Sequence, residues 1–352
     1  MSHPLSREFC RPMAGQKFKV DSKEYVLGGA LGDGAVGLVR RASLANDAQE
    51  YAVKFLAPDP KYIEESNFDD VAARFRREGE RGVYLNHPHL LKIYSHCENE
   101  EGSAFESDEP QNPFLLMEQI KGKTLESFIK KLGAGERKGF LVSRRRLNIA
   151  IQLADALSEI HRIRLIHRDV KPANIFLTSK ITGDTIPIVK LGDFGIVKWG
   201  DFHSSLSTGI LTATNQKGLG TMKYMAPEQA LTPKDVTNRA DIFSFGITLF
   251  ELFSAQILAS PYHVFEIINV RQARGTTVSR YLNMGYMLRE QDERVAENVL
   301  EMLLRGVTRR PSITKVKGNL ETEYERRYGI DWESDMLESQ DSARNIGAWD
   351  ED

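Results

Sequence analysis

Cysteine is scarce. Cys10 and Cys97 are the two in 352 residues, which excludes a disulfide framework and points to a reducing compartment, the cytoplasm. Long apolar runs are missing as well. No stretch of about 18 apolar residues occurs, so no membrane-spanning helix is expected. Residues 1–20 lack the apolar segment of a signal peptide. Neither charge dominates: 47 Lys and Arg face 49 Asp and Glu, a formal net charge of −2. That balance gives no general attraction to nucleic acid or to an anionic membrane. What remains is an ordinary globular composition, 41% hydrophobic and 27% charged, in a chain long enough for a large core or two domains.

The most informative stretch is Ile166-His167-Arg168-Asp169-Val170-Lys171-Pro172-Ala173-Asn174. It places an acid, a lysine and an amide within six residues, Asp169 to Asn174. A carboxylate can take a proton from an attacking hydroxyl, a lysine can neutralise phosphate, and an amide oxygen is a good Mg²⁺ ligand. Phosphoryl transfer needs these parts, because its catalysis is mostly positioning and electrostatic stabilisation. Upstream lies Gly32-Asp33-Gly34-Ala35-Val36-Gly37, between strand-like segments and ahead of a short strand, Tyr51-Ala52-Val53-Lys54-Phe55. Glycines there let backbone N–H groups approach phosphates. A following strand argues against a dinucleotide fingerprint, which opens a helix. Downstream come Asp193-Phe194-Gly195 and Ala226-Pro227-Glu228.

In this order the motifs resemble those of protein kinases, specifically the bacterial Hanks-type Ser/Thr kinases, over about residues 20–320. The resemblance implies an α+β, bilobal fold with a small β-rich N-lobe and a larger, mainly helical C-lobe. The expected divisions are an N-terminal arm at 1–20, an N-lobe at 21–118, a hinge at 119–122, a C-lobe at 123–330 and an acidic flexible tail at 331–352. The arm is either flexible or an embellishment of the first lobe. A charged amphipathic helix is expected over 68–85, with Ala72, Phe75, Gly79 and Gly82 on its packed side. An acidic surface insertion follows at 98–111, and a basic, glycine-rich loop at 133–139. Apolar residues recur at helical spacing from Leu147 to Ile160, leading into the Asp169 loop.

The resemblance also assigns roles. Asp169, Lys171, Lys54 and Glu78 are the catalytic set, with Glu80 as the alternative partner of Lys54. Asn174 and Asp193 are the metal ligands. Leu31, Gly32, Gly34, Gly37, Val39, Ala52, Lys54, Met117, Glu118, Ile120 and Phe176 bind the nucleotide. Met117 stands beside the adenine, backbone groups of Glu118 and Ile120 read its edge, and Phe176 forms its floor. The implied cofactors are ATP and Mg²⁺, with Mn²⁺ as an alternative. Asp241 is expected to tie back to the Asp169 loop, and Arg310 to pair with Glu228. Gly82 lies one turn after Glu78, where many kinases carry a large apolar residue, which implies a loosened, mobile helix.

Lys171 two residues after Asp169, and Thr221 after Gly220, fit Ser/Thr specificity by resemblance. The implied partners are protein substrates bearing Ser or Thr, with no specific nucleic acid. A dimer for trans-autophosphorylation is left open. Thr214, then Thr212, are the expected acceptors in the activation segment 193–228, with Arg168 receiving the phosphate. Two departures stand out: 254–263 does not match the usual substrate-docking stretch, and Gly306-Val307 replaces a common Asp-Pro. A pseudokinase, a binding or scaffolding module, would have lost a metal or lysine residue, and none is lost. Small-molecule kinases share the Asp and Asn spacing but typically lack Ala-Pro-Glu and the Arg310 partner.

Overall fold

A computed structural model describes residues 14–34, 36–45, 47, 49–59, 68–97, 112–134, 140–178, 185–193, 223–231, 236–255, 293–303 and 306–345. They form two compact units, one built from residues 14–87 and 91–120, the other from 88–90, 121–193 and 223–345. The acidic insertion 98–111, the loop at 135–139, most of the activation segment (194–222) and residues 256–292 lie outside the described residues.

The first unit is an antiparallel six-stranded sheet in the order β1-β2-β3-β4-β6-β5. Its strands are β1 (Lys17–Val20), β2 (Lys23–Asp33), β3 (Gly37–Leu44), β4 (Glu50–Leu56), β5 (Ile93–Cys97) and β6 (Phe114–Glu118). Alternation along the strands sorts the side chains. Tyr51, Val53 and Phe55 of β4 join Phe18, Tyr25, Phe114 and Leu116 in one buried cluster. Ala52 and Lys54 therefore lie on the other face, opposite Met117 and Leu115 of β6. The arm expected at 1–20 is, over Lys17–Val20, an edge strand of this sheet. Phe18 is buried, stacked on Tyr25 at 5.4 Å and edge-on to Phe114 at 5.5 Å.

Helix α1 (Phe68–Gly82) carries Val71, Phe75, Glu78, Gly79 and Gly82 on its buried side. Phe68 and Val71, rather than Ala72, begin the packed stripe. At Gly82 the space left by the missing side chain is taken by Ile93. A Cβ there would lie 2.4 Å from Ile93 Cδ1, and one on Gly79 would lie 2.5 Å from His96 Cβ and 2.7 Å from Leu115 Cδ2. The two glycines thus let the helix press against β5 and β6. Each costs roughly 1 kcal/mol of helix propensity, and the side chains of Ile93, His96 and Leu115 occupy the space released.

The second unit is mainly helical. It contains α2 (Leu125–Ala134), α3 (Phe140–Arg162), α4 (Pro227–Leu231), α5 (Arg239–Ser254), α6 (Glu293–Met302), α7 (Ile313–Tyr328) and α8 (Trp332–Asn345). A small sheet orders β7 (Lys123–Thr124), β8 (Ile175–Leu177) and β9 (Val189–Leu191) side by side. α5 is apolar around most of its circumference and buried from Ala240 to Ser254, as such a helix must be. In α3 the buried amides of Asn148 and Gln152 are hydrogen-bonded. Gln152 donates to Asn148 Oδ1 (2.7 Å) and Pro187 O (2.9 Å) and accepts from Val189 N (2.7 Å).

The C-terminus corrects an expectation. Residues 332–345, read as part of a flexible tail, form α8. Its Asp335 is buried and accepts from Arg144 Nε at 2.6 Å and from the Tyr324 hydroxyl. Trp332 and Met336, one turn apart, are buried with it. The acidic surface of this helix hides an apolar stripe too short to stand out in composition. Residues 346–352 lie outside the described residues.

Candidate active site

In the first unit, cross-strand register sets the phosphate-binding candidates in a row. Gly32 faces Val39 across β2 and β3, and Val39 faces Lys54 across β3 and β4. Gly34 N–H donates to Gly37 O at 2.9 Å, closing the turn. Gly37 has a steric reason to be glycine, since a Cβ would lie 2.3 Å from Phe55 O. Gly32 has open space around it, and a Cβ on Gly34 would meet only Gly37 O at 3.6 Å. Ala35 of the turn lies outside the described residues.

Lys54 Nζ is 3.1 and 3.2 Å from the two carboxylate oxygens of Glu78. Glu78 is 3% exposed, whereas Glu80 is on the exposed side of α1, so the register counted from the sequence selects the residue that pairs. Ala52 and Met117 are buried neighbours in β4 and β6, and Leu31 is exposed. Past Met117, Glu118 N–H donates to Lys92 O (2.9 Å) and Gln119 N–H to Glu50 O (3.3 Å). Ile120 N–H has no hydrogen bond among the described residues. Such a donor can be offered to a ligand.

In the second unit, the loop after α3 gathers three of the candidates. Asp169 Oδ2 accepts from Lys171 Nζ at 3.0 Å and from Asn174 Nδ2 at 2.8 Å. Asn174 Nδ2 also donates to Asp169 O at 3.0 Å. Both hydrogens of that amide are engaged, so its carbonyl oxygen is the group left to act as an acceptor. Pro172 opens the 3₁₀ turn Pro172–Asn174, where its missing N–H costs nothing.

His167 joins this loop to the metal-ligand candidate. Its Nδ1 accepts from Asp169 N–H (3.3 Å) and its Nε2 contacts Gly192 O (3.2 Å), which places the ring proton on Nε2. Burial holds the imidazole below its ordinary pKa, against the pull of Asp241, Asp169 and Asp193, so it is neutral. Gly192 N–H donates to Asn174 O at 3.0 Å. Asp193 follows with a left-handed backbone, φ 58°. Phe176 is half-buried in β8, paired with Lys190.

Asp241, fully buried at the start of α5, holds the loop from behind. It accepts from His167 N (2.9 Å), Arg168 N (2.7 Å) and His161 Nε2 (2.8 Å). Arg168 has φ 66°, a conformation costly for a residue with a Cβ, and these bonds sustain it. Gln229 Nε2 donates to Arg168 O at 3.2 Å. Glu228 and Arg310 form a buried pair, Nη1 to Oε1 at 2.5 Å and Nη2 to Oε2 at 2.9 Å. The 3₁₀ turn Val307–Arg309 delivers Arg310 despite the Gly306-Val307 departure. Lys223 and Tyr224 both bind buried Glu251, at 2.9 and 2.6 Å. The roles of His167 and Gln229 were missed from sequence, although His167 adjoins the Asp169 motif. Phe194, Thr212, Thr214, Lys217 and Thr221 lie outside the described residues.

Among curated proteins, the chain is 33% identical over 233 residues to the probable serine/threonine-protein kinase PknB of Bifidobacterium longum, a match covering 66% of this chain and 30% of that protein. It is 33% identical over 239 residues to the serine/threonine-protein kinase PknA of Mycobacterium tuberculosis, covering 67% and 48% respectively. The chain thus matches less than half the length of these relatives. Among solved structures, the PknI kinase domain of Mycobacterium tuberculosis aligns with a TM-score of 0.59 at 22% identity, over 89% of this chain and 99% of that one, a likeness of fold. The protein kinase domain family matches residues 25–319. With its motifs in kinase order and that match over most of its length, the chain belongs to the protein kinase family.

Proposed function

We propose that the chain is an ATP- and Mg²⁺-dependent Ser/Thr protein kinase that passes the γ-phosphate to protein hydroxyls. The observation that carries this reading is the Asp169 carboxylate, oriented by Lys171 and Asn174 on one of its oxygens. A carboxylate so held can align a hydroxyl and take its proton, and Lys171, 3.0 Å away, neutralises charge on the transferred group. Lys54, steadied by Glu78, grips the α and β phosphates. Glycines 32 and 34 leave room for the backbone to approach them.

The donor set suits Mg²⁺. Asn174 offers a carbonyl oxygen and Asp193 a carboxylate, and the described residues hold no cluster of three or more His, Cys, Asp or Glu. Mg²⁺ characteristically binds through one or two protein oxygens, keeping waters and substrate phosphates. When bound, it neutralises phosphate charge during transfer.

Location in the cytoplasm fits the scarce cysteine, and no helix among the described residues is long and apolar enough to cross a membrane. Thr214 and Thr212 are the proposed autophosphorylation sites, with Arg168 as their reader. A γ-phosphate transfer assay on the full chain tests the reading. Wild type should label itself or a Ser/Thr substrate, and both Asp193→Ala and Asp169→Asn should abolish labelling. Mass spectrometry should place phosphate on Thr212 or Thr214 in wild type only. Equal labelling by Asp169→Asn would overturn the assignment.

A further inference from the structure

Helix α8 lies beyond residues 25–319, which match the kinase family. Yet it is built into the unit that carries Asp193. Trp332 opens it, 9% exposed, with its Nε1–H donating to Glu321 at 3.0 Å. The ring centroid lies 5.9 Å from that of His89, and the Trp332 carbonyl accepts from Asn148 Nδ2 at 2.8 Å. His89 is buried and grips β9 at both ends. Its Nδ1 contacts Val189 O at 3.2 Å, and its backbone O accepts Leu191 N–H at 2.9 Å. Two turns further along α8, Ser339 Oγ accepts Ile186 N–H at 2.6 Å, fixing the chain that enters β9. Arg144 and Tyr324 anchor the helix itself through Asp335.

β9 has three residues, and Asp193 follows its last residue by two. So short a strand has little stiffness of its own, and its position is inherited from the groups that hold its ends. From this we infer that α8 positions the metal ligand Asp193, with Trp332 acting through His89 and β9, and Ser339 through Ile186. Trp332, His89 and Ser339 are positioning residues and touch no reacting atom. The inference rests on the reading of Asp193 as a metal ligand. Partners of this outer kind typically cost about 10- to 100-fold in metal affinity or activity when removed.

The test uses the full chain with Mn²⁺ as probe and a non-hydrolysable ATP analogue, affinity being read by electron paramagnetic resonance. Hydrogen exchange of the Leu191 amide is read separately, without metal. Trp332→Ala should weaken Mn²⁺ about tenfold and speed Leu191 exchange by a similar factor. Trp332→Phe keeps a ring on His89 and should recover most of both. Ser339→Ala leaves the tryptophan in place and should give a shift of about two- to threefold in the same direction, deciding the matter should Trp332→Ala fold poorly. Leu337→Ala, at an exposed position of the same helix, should change neither. In transfer assays the Trp332→Ala defect should appear as a raised metal requirement, with kcat largely restored at saturating metal. Lower thermal stability with wild-type Mn²⁺ affinity and wild-type Leu191 exchange would reduce α8 to a structural cap and overturn the inference. Should Asp193→Ala bind Mn²⁺ as wild type does, the metal reading itself fails and takes this inference with it. Should Asp193→Ala lose Mn²⁺ while Trp332→Ala and Ser339→Ala keep it, only the inference fails.

Discussion

Replacing Asp241 with asparagine changes almost no volume and removes one acceptor. The carboxylate is fully buried and takes three hydrogen bonds, from His161 and His167 on Oδ2 and from Arg168 N–H on Oδ1. An asparagine can satisfy one side with its carbonyl oxygen. Its NH₂ group must then face an N–H donor. If the oxygen stays with His161 and His167, the Arg168 N–H is left buried without an acceptor, at a cost of about 1–3 kcal/mol. The surviving bonds lose their charge assistance, which roughly halves their strength. Together these give about 3 kcal/mol, a large share of the roughly 5–15 kcal/mol that holds a domain folded.

Catalysis should suffer beyond the loss of stability. Arg168 is held at φ 66° by the bond that disappears, and Asp169 is the next residue. Relaxation of Arg168 swings the carboxylate away from its productive direction. Urea unfolding should show a lower midpoint with an unchanged slope. Steady-state kinetics, run well below that midpoint, should show kcat reduced about tenfold or more. KM for ATP should change little, because the Lys54–Glu78 pair does not involve this residue. An Asp241→Asn protein with wild-type midpoint and wild-type kcat would refute the reasoning.

Lys54→Met keeps most of the stem and removes the charge, so transfer should fall at least about a hundredfold by analogy with deleting one transition-state donor; near-normal turnover would remove Lys54 from the site. Gly79→Ala should destabilise by about 1–3 kcal/mol, because its Cβ meets His96 Cβ and Leu115 Cδ2. Gly82→Ala meets chiefly the end of Ile93, so Ile93→Val should rescue it and not Gly79→Ala, as differential scanning calorimetry can check. Glu323 is pulled down to about 2 by Arg326 and then Arg327, against the effect of burial. Its folded pKa is depressed, so its contribution is present above the ordinary value of 4.5 and is lost as pH falls toward 2. That contribution is at most on the order of 3 kcal/mol. Glu323→Gln should be less stable than wild type at neutral pH and should flatten the acid limb of the stability profile over that window. Parallel acid limbs would show the ion pairs to be worthless.

The candidate catalytic residues were legible from local sequence because they sit in short motifs. Asp169, Lys171 and Asn174 are near neighbours in the chain, and a tight 3₁₀ turn brings them together whatever the surroundings. Strand alternation around Lys54 was legible for the same reason, since period two is a property of the backbone. The register of Glu78 came from family spacing, and burial agrees with it against Glu80.

Contacts between residues distant in the chain were a different matter. Gly82 read as a missing side chain, because nothing nearby in sequence says that Ile93 fills the space beneath it. The last helix read as an acidic tail, because its buried stripe of Trp332, Asp335 and Met336 has meaning only beside Arg144, Tyr324 and His89. His167 became a bridge only when Gly192 came within reach of its ring. By itself the sequence picked out the candidate groups, since each lies in a short motif. The tertiary structure alone decided what holds them at the right angle. That depends on buried donors and acceptors up to about a hundred and ninety residues apart, such as Arg144 and Asp335, and no local pattern encodes such a pairing.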